Sequence, residues 1–255
     1  DFLSHWYGVF VGVCFGVTVV SILSMVLLSH VLSRELRGEF VQASYRSSVA
    51  LLGVAFIQNI YGTAGAAPLM IIGAVPLYNI AAVLILALMH PDQGGLSRDR
   101  LLRTLKKVVT NPILIGIVVG MVWSLLRLPQ PTILQKSVDS FAGVATPMGL
   151  IGLGASVDPK QAMARLKPSL LCVFCKLFLF AALFLPLAVW MGYRTDKLVT
   201  VLIMLGSSTT SSSYVMARGQ GYDGVLTANT ILLTTFLSAF TLTGWLYLLR
   251  VMSLI

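Results

Sequence analysis

Eight apolar stretches, each near the ~20 residues an α-helix needs to cross a bilayer, follow one another along the chain. This recurrence restricts the fold more than any other feature. They lie at about 6–28, 47–61, 64–89, 108–126, 138–157, 168–191, 198–217 and 225–249, the second being short and glycine-interrupted. With 57% apolar and 11% charged residues and a mean hydropathy of +0.89, the chain cannot cover a globule with polar surface. An all-α integral membrane protein in the cell membrane is expected, with the lipid bilayer as its medium. The first stretch follows Asp1 instead of a basic flank and is too long for a signal-peptide core, so it reads as a true span.

The net charge of +9 does not point to nucleic acid, because the cations sit in short runs between apolar blocks and form no basic face. Arg34, Arg37 and Arg46, then Arg98, Arg100, Arg103, Lys106 and Lys107, then Lys160, Arg165 and Lys167, and finally Arg218 follow spans one, three, five and seven. That is twelve on one side, against Arg127, Lys136, Arg194, Lys197 and Arg250 on the other. The positive-inside rule makes the richer side cytoplasmic and leaves both termini non-cytoplasmic.

Seven consecutive hydroxyl residues, Ser207 to Ser213, interrupt the seventh span in "GSSTTSSSYVMARGQG". One or two hydroxyls suit close helix packing. Seven cover every face of about two turns, which packing does not require, so a polar cavity is expected. A weaker echo lies in the second span, "YRSSVALLGVAFIQNIYGTAG": a Ser pair, a short interrupted helix, a tyrosine and glycines, then a long apolar span. The two copies are five spans apart and cross in opposite senses. This is the inverted-repeat pattern of secondary transporters, whose sites form where discontinuous helices meet near the midplane. Backbone freed from a helix survives in a membrane only when buried in protein or lining a wet cavity.

The stretches "FVQASYRSS", "PLYNIAAVLIL", "NPILIGIVVG", "FAGVATPMGLIGLGASV", "LVTVLIMLGSSTTSSSYVMARGQGYDG" and "LLTTFLSAFTLTGWLYLL" occur in order over nearly all 255 residues. Together they resemble the auxin efflux carrier family, in its bacterial malate and malonate permease-like branch. The resemblance implies ten spans in a five-plus-five inverted repeat, with two broken helices crossing at the substrate site. The eight spans here correspond to the last eight. It also divides the chain into first-repeat transport spans at 1–90, a basic cytoplasmic loop at 91–107, scaffold spans at 108–157 and second-repeat transport spans at 158–255. Where the family carries a proline at each crossing, this chain reads Gly53-Val54-Ala55 and Ser207-Ser208-Thr209-Thr210, and Ser48 stands where the family often has Asn. Loss of proline weakens the reason for each break.

Lys176 lies eight residues past Pro168, about 12 Å along a helix at ~1.5 Å per residue. An ionisable group at that depth faces a cavity or a partner unless it snorkels to the surface. The acidic residues, Glu39 among them, read as loop or span-end residues, so an anionic substrate is the expected counter-charge. Cys172 and Cys175 form a C-x-x-C inside an apolar segment with no His or acidic residue nearby and read as core cysteines. His5, His30 and His90 have no metal-ligand spacing, and no metal or cofactor is expected. Asn79 and Asn229 read as interhelical hydrogen-bonding residues. Gly8, Gly12 and Gly16 form a ridge expected to pack inside the molecule, with a homodimer contact as the alternative.

The sequence-based expectation is therefore a permease moving a small organic anion by alternating access, with Ser48, Gly53, Ser207, Ser208, Thr209, Thr210 and Lys176 as substrate-binding residues and no catalytic residue. The alternatives are a sodium-coupled organic-acid symporter of related fold and a non-transporting sensory or structural membrane protein. No acidic pair, His-Glu metal motif or Ser-His-Asp set points to an enzyme.

Overall fold

The computed structural model describes residues 2–49, 53–91, 102, 106, 109–110, 112–126, 128–156 and 158–255, and among them every segment of secondary structure is helical. Helix α1 (Phe2–Leu28) ends in a short 3-10 turn. Helices α2 (Arg34–Tyr45), α3 (Val54–Tyr61) and α4 (Ala67–Leu88) follow. Next come α5 (Pro112–Leu125), α6 (Thr132–Ser156) and the short α7 (Pro159–Ala164). The long α8 (Leu166–Trp190) holds a π-helical segment, Cys175–Leu179. Helices α9 (Thr195–Gly206), α10 (Ser212–Gly219) and α11 (Val225–Val251) complete the order. Helices α1, α4, α6, α8 and α11 are long and apolar enough to cross a membrane. The expected basic loop at 91–107 lies almost wholly outside the described residues.

The second expected span is corrected most. In place of a short, glycine-interrupted span over 47–61, two helices, α2 and α3, lie on either side of non-helical backbone at 46–48. Residues 34–45, read from sequence as loop, form a helix with nine of its twelve residues buried. Its polar residues hid it: Glu39, Gln42 and Ser44 lower the local hydropathy, yet each is buried and hydrogen-bonded to protein. The seventh expected span likewise divides into α9 and α10 around 207–211.

Helix α1 packs along α4, and α2 is enclosed by α1, α4, α8 and α11, with α9 against α8 and α11. Phe10, Cys14 and Val17, at i, i+4 and i+7, form the inward stripe of α1. The close approach to α4 is made at Gly73, where a Cβ would lie 2.7 Å from the Val11 carbonyl oxygen. Among the described residues the ridge of Gly8, Gly12 and Gly16 does not pack inside as expected: an added Cβ at any of the three would meet none of their atoms within 4 Å. The inward stripe already carries the larger side chains, which turns the ridge away from α4. Helices α5 and α6 stand apart, α5 touching α4 and α6 touching α10, with most of their side chains exposed.

Candidate functional site at the meeting of two helix breaks

A helix leaves its last carbonyls without partners, and a break inside a membrane protein doubles that deficit. Here each break supplies the other. At the first, Arg46 leaves the helix in extended conformation after α2 ends at Tyr45. At the second, Ser207 does the same after α9. The Ser48 N–H donates to the Ser208 carbonyl at 2.9 Å, joining the two breaks backbone to backbone. Thr209 Oγ1 donates to the Ala43 carbonyl in the last turn of α2 at 2.8 Å, and Ser47 Oγ donates to the Met204 carbonyl in the last turn of α9 at 2.5 Å. Gln42 Nε2 donates to the Ser213 carbonyl at 2.9 Å, and the Thr209 N–H reaches Thr234 Oγ1 on α11 at 3.1 Å. Reciprocal bonding of this kind sustains both breaks without the prolines that the sequence lacks.

Beside the crossing lies a cavity of about 120 Å³ lined by Arg46, Ser47, Ser48, Val49, Val75, Tyr78, Asn79, Thr210 and Ser212. It has room for several waters or one small solute. Arg46 is its charge. Only 2% exposed, it donates through Nη2 to Asn79 Oδ1 at 2.9 Å and Ser212 Oγ at 3.0 Å, and through Nη1 to the Met216 sulfur, a weak acceptor. Its Nε has no partner, and no carboxylate pairs with it among the described residues. A buried guanidinium held only by neutral groups keeps donors for a planar anion.

Lys176 is fully buried and does not snorkel. From the π segment of α8 its Nζ donates to the Tyr45 carbonyl at 3.3 Å and to Ser47 Oγ, behind the cavity wall. The π turn frees backbone carbonyls, and that of Leu177 accepts from Trp245 Nε1 at 3.1 Å.

Among the residues expected at the site, Ser48 and Thr210 line the cavity. Ser207, Ser208 and Thr209 are buried at the second break without lining it. Gly53 has helical dihedrals, and a Cβ there would come within 3.1 Å of Ile203 Cγ2, so it serves close packing of α3 on α9 and not the break, which begins seven residues earlier. Sequence reasoning missed Arg46, counted among loop cations, and Ser47, passed over for its neighbour. The Arg-Ser-Ser order directly after a polar helix was the available signal. Asn79 faces Arg46 and also donates to the Val75 carbonyl within α4, whereas Asn229 makes the expected interhelical bond, to the Ala162 carbonyl at 2.8 Å.

Glu39 corrects the expectation that no carboxylate lies inside. It is 1% exposed, and its oxygens accept from the Gly224 N–H at 3.1 Å, the Thr227 N–H at 3.0 Å and Thr227 Oγ1 at 2.7 Å. It thereby caps the N-terminus of α11 from α2. Tyr222, in the turn before α11, donates to the Leu86 carbonyl at 3.0 Å. Burial first, and the nearby Glu39 second, push its phenol up and keep it a donor. A Cβ on Gly38 would collide with this ring.

A family model described as "Membrane transport protein" matches residues 2–246. A curated protein of Rhizobium meliloti (strain 1021), named "Putative malonate transporter", is 26% identical over 147 residues, which span 57% of this chain and 46% of that protein. The matched part is therefore under half the length of that relative.

Proposed function

Because this chain belongs to the auxin efflux carrier family of membrane transport proteins, we propose that it is a secondary carrier of a small organic anion of malonate or malate type, working by alternating access. One observation carries the reading: Arg46, buried beside a small polar cavity where two helix breaks meet, has among the described residues no partner for its Nε and only neutral partners elsewhere. A carboxylate between Arg46, Ser48, Thr210 and Ser212 would receive charge-assisted and hydroxyl hydrogen bonds together. The name of the bacterial relative agrees with that substrate class.

In the same reading, 34–61 and 195–219 are discontinuous spans related as inverted repeats, and the chain supplies the last eight spans of a ten-span plan. Helices α1 to α4 and α8 to α11 form the moving unit, and α5 and α6 belong to the scaffold. Moving Arg46 from loop to cavity leaves eleven cations against five, so both termini remain non-cytoplasmic.

Uptake of radiolabelled malonate and malate into proteoliposomes tests the proposal. The protein is expected to accumulate one of them, Arg46→Ala to abolish uptake, and Arg46→Lys to retain a fraction of it. Uptake untouched by Arg46→Ala would remove the site and keep the carrier. No uptake of either acid in any ion gradient would reject this substrate class.

A further inference from the structure

Unwound carbonyls and half-helix C-termini are where carriers with broken helices bind their coupling cation. In this protein that place is already filled. The Tyr45 carbonyl at the end of α2 and the Ser47 hydroxyl both accept from Lys176 Nζ, and Ser47 passes the contact on to the Met204 carbonyl near the end of α9. Two half-helices thus turn their partially negative ends towards one ammonium group. The surrounding acceptors are neutral oxygens, hard ligands of the kind sodium takes, and no carboxylate pairs with Lys176 among the described residues. The side chain is 0% exposed and is carried there by the π segment of α8, so it does not exchange with solvent as a mobile ion would.

We infer that Lys176 is a tethered substitute for a coupling cation, and that this protein works without sodium because its own ammonium occupies the sodium position. The coupling statement rests on the carrier reading proposed above; the cation site does not. Shortening the side chain should convert the position into a site for a free ion. Lys176→Ser opens the oxygen cluster, whereas Lys176→Met removes the charge and keeps the space filled.

Thermal melting of the detergent-purified protein, compared in sodium and choline chloride at about 150 mM, reads the site without any transport. Lys176→Ser is expected to melt about 3 °C or more higher in sodium, with no difference for the wild type or for Lys176→Met. A shift shared by all three is a general salt effect and overturns the inference, as does the absence of a shift in Lys176→Ser. Should Lys176→Ser fail to fold in choline, the yield of monodisperse protein extracted in sodium becomes the readout, and no recovery there overturns the inference. Malonate uptake by the wild type is expected to be equal in sodium and choline, and sodium-dependent uptake overturns the coupling statement. A sodium shift in Lys176→Ser with no malonate uptake by the wild type leaves the cation site standing and rejects the proposed substrate class.

Discussion

The two helix breaks touch through one backbone hydrogen bond and are built from opposite chemistry. The first, at 46–48, carries Arg46 and receives Lys176, both buried. The second, at 207–211, is serine and threonine throughout. A charge at that depth costs about 3 kcal/mol by insertion scales, whereas a bonded hydroxyl is close to neutral. Each break therefore bears a different burden: the cationic one places charge beside the cavity, and the hydroxyl one meets its neighbour's backbone with neutral groups alone.

Substitutions that exchange these burdens sharpen the contrast. The largest effect is expected at Arg46. Arg46→Ala deletes the cavity's charge and should lower malonate uptake by about 100-fold or more, on the scale of a lost charge-assisted hydrogen bond near 3 kcal/mol. Ser47→Ala comes next, because it strips Lys176 of one acceptor and leaves the Met204 carbonyl only the long bond from the Tyr78 hydroxyl at 3.5 Å; melting in detergent should report about 2–3 kcal/mol of destabilisation. Thr209→Val orphans only the Ala43 carbonyl and is expected to destabilise by about 1–2 kcal/mol, with the substrate affinity of the remaining folded carrier unchanged. Ser207→Ala should be the mildest, within about 0.5 kcal/mol and with normal uptake, because its buried hydroxyl has no hydrogen-bond partner among the described residues. If Ser207→Ala abolished uptake while Arg46→Ala left it intact, the division of labour between the breaks would be reversed.

Hydropathy made the long helices legible, because α1, α4, α8 and α11 are apolar on nearly every face. It also exposed the second break, since seven hydroxyls in an apolar run have no other use. The first break was obscured for the same physical reason. Helix α2 buries Glu39, Gln42, Ser44 and Tyr45 by giving each a partner from a distant segment, at Thr227, Ser213, Cys172 and Tyr78. A window average records those residues as loop because it cannot count hydrogen bonds made 33 to 188 positions away. Arg46 was misread in the same way, as a loop cation beside Arg34 and Arg37. The expectation that Lys176 faces inward needed no partner to be known, since an isolated cation in the middle of an apolar span has few other options.

The π turn in α8 also sets a phase. An α-helix advances about 100° per residue, so the one extra residue that a π turn accommodates rotates everything beyond it by roughly that angle relative to an unbroken helix. Before the turn, Ser169 and Cys172 face inward, and Cys172 meets Ser44 and the Phe40 carbonyl on α2. After it, Phe180, Ala181, Leu185 and Ala188 carry the buried face, in the part of the helix that packs on α9. Deleting a single residue between Cys175 and Leu179 would restore an ideal helix and swing one of these two faces out to lipid. For α8, regular geometry and correct placement of both faces are mutually exclusive.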